Sequence, residues 1–178
     1  MAGKEALSNQ AKSLKIGIVN FDKNTQNGQM RENGFRNTVM KDDRSEIISS
    51  INVKSTVKDA KQGTIQMLKS HPEINVIVTF NEWTSLGVGY GVESLKRGKD
   101  TQVIAFDSNV KSVSMLENGD VDALIVQNPY AIGYLGVENA YALINGQEVK
   151  SKEIETSSIL VTRDNMYDEK SQRAHSNN

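Results

Sequence analysis

Ile74-Asn75-Val76-Ile77-Val78-Thr79-Phe80 is a near-continuous apolar run, with Pro72 just ahead of it and Asn81 just behind. A strand apolar on both faces belongs in a parallel sheet covered by helices on each side. Downstream, the pattern predicts a helix from about Trp83 to Arg97, a strand at Gln102–Phe106 and a helix at Val110–Asn118. After a Gly119-Asp120 turn come a strand at Val121–Val126, a helix at Tyr130–Ile144 ended by Asn145-Gly146, and a strand at Ser157–Thr162. Upstream, Thr56–Ser70 reads as a helix with Val57, Ala60, Thr64, Met67 and Leu68 on one stripe, stopped near Pro72. Before it lie a strand at Glu46–Val53, a helix from Met30 to about Lys41, a polar loop at Phe21–Gln29, a strand at Leu14–Asn20 and a short helix over residues 2–12. Residues 164–178 are polar and read as a frayed tail. Strand and helix alternate throughout, which predicts an α/β fold: a doubly wound, mostly parallel, Rossmann-like sheet with helices on both faces.

Composition narrows the function. The 178 residues carry a net charge of −1, with acidic and basic residues intermixed, so the concentrated basic face that nucleic acid requires is missing. There is no cysteine, which excludes disulfides, thiolate nucleophiles and Cys-based metal sites. The two histidines, His71 and His175, lie far apart, and neither suggests a metal site. No apolar run approaches the length of a membrane span, and the opening residues do not read as a signal peptide, which a mature secreted domain would also lack.

In open parallel sheets, ligands bind beyond the carboxyl ends of the strands. Asn81 and Glu82 follow the INVIVTF strand, Asp107 follows QVIAF, and Gln127 follows DALIV. Arg31 comes soon after the first strand. Amides both donate and accept hydrogen bonds, carboxylates accept, and a guanidinium adds a fork of donors. This set suits a neutral, hydroxyl-rich ligand. Each amide or carboxylate taken alone reads more readily as a helix cap; Asn81, Asp107 and Gln127 together at one edge favour a polar pocket. Gly87-Val88-Gly89-Tyr90-Gly91 lies inside a helix rather than directly after a strand, so it reads as close helix packing and not as a dinucleotide loop. No phosphate loop, no GxSxG elbow and no acid/base pair is visible, and no cofactor is implied.

Several segments resemble the type I periplasmic binding proteins for sugars. Arg31-Glu32-Asn33-Gly34-Phe35 is similar to their R-x-x-G-F segment, and His71-Pro72-Glu73-Ile74 to their HPDI step. Asn81-Glu82 resembles ND, Ala105-Phe106-Asp107 resembles GFD, Gln127 to Gly133 resembles Q-x-P-x-x-x-G, and Leu160 to Asn165 resembles a closing LVTKEN. The resemblance implies a non-enzymatic sugar or polyol receptor serving an ABC permease or a membrane sensor, located in the periplasm or outside the cell. It assigns ligand contacts to Arg31, Asn81, Asp107 and Gln127, with Glu82 standing where the family usually has Asp. Ser55 falls where ribose-type members carry a stacking aromatic, leaving Trp83 or Phe21 as substitutes.

The family has two lobes that close around ligand. By resemblance, residues 14–128 form the C-terminal lobe, 1–13 are a residual helix of the other lobe, 129–166 are a helix and strand returning to it, and 167–178 are a tail. The returning pieces are then expected to expose Ile132, Leu135 and Val137, and Ile159 and Val161, which favours a homodimer or a partner supplying the missing lobe. The alternative within this fold is the effector domain of a LacI-type transcription regulator. Such regulators carry a helix-turn-helix and commonly P-x-L-T-T after GFD, and neither is visible here.

Overall fold

The computed structural model describes residues 1–22, 24–149, 151 and 153–176. Six strands form one sheet in the order β2-β1-β3-β4-β5-β6. They are β1 (Leu14–Asn20), β2 (Ser45–Asn52), β3 (Val76–Thr79), β4 (Gln102–Phe106), β5 (Ala123–Val126) and β6 (Ile159–Thr162). The first five are parallel, and β6 runs antiparallel to β5. The helices are α1 (Ala2–Ser8), α2 (Gln26–Val39), α3 (Val57–Ser70), α4 (Glu82–Ser94), α5 (Val110–Asn118), α6 (Pro129–Ile144) and α7 (Glu169–Ser176).

The sheet has a core on each face, and the two-residue period of the strands sorts their side chains between them. Leu14, Ile16, Ile18, Val76, Val78, Phe80 and Ile104 join Phe35 and Val39 of α2 on one face. Val19, Ile77, Val103 and Ala105 join residues of α3, α4 and α5 on the other. All four residues of β3 are buried, as the apolar run at its centre predicts. The glycines of α4 do pack closely, chiefly against a helix. An added Cβ at Gly87 would meet Ala60 Cβ of α3 at 2.4 Å, and one at Gly91 would meet Thr64 Cβ at 2.9 Å.

Four expectations are corrected. The helix assigned to another lobe, α1, packs into this one: Ala2, Gly3 and Ala6 are buried, and a Cβ on Gly3 would lie 2.5 Å from Thr38 Cβ of α2. Small residues let the two helices touch. Second, α2 begins at Gln26 rather than Met30, because Thr25 caps it by accepting from Gly28 N–H. Third, the last strand does not depart for another lobe. It pairs with β5, placing Ile159 beside Val126, and Val161 is fully buried. Fourth, the tail carries α7, anchored by buried Met166 and Ser171.

By contrast, α6 has no buried residue. Tyr130, Ile132, Tyr134, Val137, Tyr141, Leu143 and Ile144 are all exposed. Among the described residues, no helix is long and apolar enough to cross a membrane.

Candidate ligand-binding site

Because β1, β3, β4 and β5 run parallel, their carboxyl ends open on one edge, and the polar residues predicted there converge. The centre is Asp107. Its backbone adopts the left-handed conformation, with φ at 64°, which Asp tolerates better than most residues. Three bonds hold the turn: Asp107 N–H donates to Ile125 C=O at 2.9 Å, and Ser85 Oγ both accepts from Phe106 N–H and donates to Phe106 C=O, each at 3.0 Å. The carboxylate is thereby turned toward its neighbours. Gln127 Nε2 donates to Asp107 Oδ1 at 2.5 Å, and Arg31 Nη1 lies 4.0 Å from Asp107 Oδ2.

Arg31 reaches across from α2. Its guanidinium sits 5.0 Å from the centroid of the Phe106 ring and donates to Phe80 C=O at 2.5 Å. Burial lowers its pKa, and the nearby Asp107 carboxylate pushes it back up. An arginine starts so high that it stays charged at neutral pH. Arg31, Asp107 and Gln127 thus form one chain across the ends of β3, β4 and β5, and its partial exposure leaves spare N–H donors and lone pairs for a ligand.

Asn81 is a helix cap. Its Oδ1 accepts from Thr84 N–H and from Thr84 Oγ–H, at 2.9 and 2.7 Å, and its Nδ2 donates to Ser55 Oγ at 2.7 Å. Asp107 and Gln127 are not caps. Asn109 caps α5 and Asn128 caps α6. Glu82 is held by Asn109, whose Nδ2 donates to Glu82 Oε1 at 2.6 Å. Glu82, Asp107, Ser108, Asn109 and Gln127 line a cavity of about 400 Å³, bounded on its apolar side by Val126, Pro129 and Ile132. That volume lies within the range of small-molecule sites.

Two supporting residues escape the sequence reading. Asn109 stands three positions beyond the end of β4, and its signal is only that Asn is a strong capping residue. Asn20, fully buried at the end of β1, donates to Glu32 Oε2 at 2.6 Å and to Gly28 C=O at 3.2 Å. Glu32 also pairs with Arg36 at 2.7 Å. This network ties the first turns of α2 to the sheet, and Arg31 sits within them. Among the described residues, no group of three or more His, Asp or Glu could hold a metal ion.

Residues 1–148 match the sequence profile of the periplasmic binding protein domain. The chain belongs to that family. Members are non-enzymatic binding proteins, and the relatives of this chain are sugar receptors. One is the D-ribose/D-allose-binding protein of Pseudomonas aeruginosa, 27% identical over 160 residues, a match covering 85% of this chain and 50% of that protein. Another is the D-allose-binding periplasmic protein of Escherichia coli, 23% identical over 128 residues, covering 72% of this chain and 41% of that one. A solved ABC transporter solute-binding protein of Agrobacterium vitis, bound with α-D-tagatopyranose, has the same fold over 98% of this chain and 58% of its own, with a TM-score of 0.93 and 24% identity. This periplasmic binding protein chain spans about half the length of the curated relatives it matches.

Proposed function

We propose that this chain is the sugar-recognising lobe of a periplasmic or extracellular solute receptor, which holds a small sugar or polyol for an ABC permease or a membrane sensor. The observation that carries the reading is Asp107, set between Arg31 and Gln127 at the strand-end edge. A sugar hydroxyl both gives and accepts a hydrogen bond. This trio presents acceptors and donors side by side, already oriented by each other, so little ordering cost remains when ligand arrives. Glu82, pinned by Asn109, adds a second fixed acceptor. Asn81 contributes mainly by fixing the start of α4, since its amide is already engaged on both sides. In this reading α1 to β5, together with β6, make one wall of the ligand cleft, and α6 belongs with the opposite wall, the rest of which corresponds to the part of the relatives that this chain does not span.

The test is a thermal-shift screen of the purified chain against D-ribose, D-allose, D-arabinose, D-tagatose and a set of polyols. A ligand at about 100 times its dissociation constant stabilises the native state by about 2.7 kcal/mol, which is roughly 5 to 10 °C for a chain of this size. A shift with one or a few of these, lost in Asp107→Asn, is the expected result. No shift with any sugar or polyol, at concentrations up to tens of millimolar, would sink the reading for this lobe.

A further inference from the structure

The edge of the sheet opposite Asp107 holds a second cavity, of about 550 Å³, within the range of small-molecule sites. It lies where the chain enters the parallel strands: Asn75 precedes β3, Thr101 precedes β4 and Asp122 precedes β5, and α1 and the end of β6 contribute to its wall. Lys99, Asp100, Arg163 and Asp164 line it from exposed positions, two of each sign, so their charges offset one another. The two charged residues set deeper are both acidic: Glu5 of α1 and Asp122.

The amides around this cavity are already engaged. Gln102 Nε2 donates to Glu5 C=O and Gln102 Oε1 accepts from Asn9 Nδ2, each at 3.2 Å. Asn75 Nδ2 donates to Ser13 C=O at 2.9 Å, and its Oδ1 accepts from Lys15 N–H at 2.8 Å. The groups with capacity left are acceptors. Asp122 Oδ2 accepts from Val103 N–H at 2.8 Å, while its Oδ1 lies 3.8 Å from Arg163 Nη2, outside hydrogen-bond distance. The Glu5 carboxylate takes at most one bond, from Ser8. Thr101 lines the same cavity; it is 2% exposed, and its Oγ1 is buried without a hydrogen-bond partner. A buried hydroxyl is seldom left so, and a ligand would complete it. Burial raises the carboxyl pKa of Asp122 and of Glu5, and the Asp122 charge raises that of Glu5 further. A cation between the two would offset both effects.

A primary ammonium group carries one positive charge, three N–H donors and no acceptor, which matches two carboxylates and one unbonded hydroxyl. Among the described residues no group of three His, Asp or Glu is assembled to hold a metal ion, so the acceptor set favours an N–H cation. We infer that this cavity is a second binding site, for a small primary ammonium compound held by Glu5, Asp122 and Thr101. It is separate from the strand-end site and does not depend on the sugar reading.

The probes are ethylammonium and putrescine chlorides, titrated into the whole chain at neutral pH and constant ionic strength. The unfolding midpoint should rise saturably, by roughly 5 to 10 °C with a probe at about 100 times its dissociation constant. Tetramethylammonium chloride has the charge but no N–H donor and should give no such rise. In calorimetry, Glu5→Gln, Asp122→Asn and Thr101→Val should each weaken amine binding about tenfold or more. Thr101→Val keeps the branched shape and removes only the unbonded oxygen, so its midpoint without amine should not fall. Thr101→Ser keeps the hydroxyl and should bind as wild type does, as should Asp107→Asn at the opposite edge. A response to tetramethylammonium equal to that of the amines would reduce the effect to charge screening and overturn the site. An amine response kept in Glu5→Gln and Asp122→Asn but lost in Asp107→Asn would overturn it too, by moving the ligand to the strand-end cavity. So would the absence of any shift with either amine at tens of millimolar.

Discussion

Gly87→Ala is the substitution that most directly tests how α3 and α4 are packed. Elsewhere in a helix, alanine for glycine contributes about 1 kcal/mol through propensity. At Gly87 the new Cβ would lie 2.4 Å from Ala60 Cβ, 2.6 Å from Val57 C=O and 2.9 Å from Lys61 N. Carbon atoms pack at about 3.5 to 4.0 Å, so the shortfall is roughly 1 Å. Two of the three atoms are backbone, so no rotamer change can relieve it, and the helices themselves must separate. Overpacking of a tight core costs typically about 1 to 3 kcal/mol, and this contact belongs at the upper end. The net loss is then about 2 kcal/mol, or roughly 4 to 8 °C in Tm. The control is Gly34→Ala in α2, where an added Cβ meets nothing within 4 Å. It should gain about 0.5 to 1 kcal/mol. Urea unfolding of both variants beside wild type gives the two signs in one experiment. Gly87→Ala as stable as Gly34→Ala would refute the packing argument.

Asp107→Asn keeps a side chain that tolerates the left-handed backbone, so the unfolding midpoint should stay near that of wild type while sugar affinity by calorimetry falls more than tenfold. The exposed apolar face of α6 should make the chain self-associate at high concentration, and Val137→Glu with Tyr141→Glu should return it to monomer in light scattering with no change in helix content; wild type monomeric at hundreds of micromolar would count against this. Burial raises the carboxyl pKa of Asp122, more than the Val103 N–H and Arg163 lower it, and Glu5 is raised by burial and then by Asp122. A raised folded-state value means stability present below the ordinary carboxylate pKa and lost as pH rises through the folded-state one. Asp122→Asn should therefore raise the urea midpoint at pH 7, with the gain shrinking as pH falls into the carboxylate range. A lower midpoint at pH 7 would show that the pairing with Arg163, 3.8 Å away, outweighs desolvation.

Most of the sheet was legible because its strands are buried on both faces, and such strands read as apolar runs. The elements misjudged were those whose signal is small or polar. Nothing apolar marks Gln26 to Gln29, and only the capping threonine announces that turn of α2. Ala2, Gly3 and Ala6 bury little area each, yet their smallness seats α1 on α2. Its place in the chain suggested a different lobe. Asp107 and Gln127 were visible from the strand-end rule alone. The separation of Asn81, a working cap, from those two was not visible, since all three residue types serve either purpose and only the partner atoms distinguish them. Asn20 was hidden for the opposite reason: it closes an apolar strand and reads as part of it.

The antiparallel pairing of β6 with β5 sets Val126 directly opposite Ile159. The chain therefore leaves this lobe and re-enters it at neighbouring points, like a hairpin whose tip has been opened to take a long insertion. Whatever residues 129–158 do elsewhere, the sheet experiences them only as a loop, and each halving of loop length would favour closure by about 0.6 kcal/mol. A tight turn grafted between Asn128 and Ile159 would leave every strand pairing and the strand-end polar trio in place. It would also remove the apolar helix from solvent.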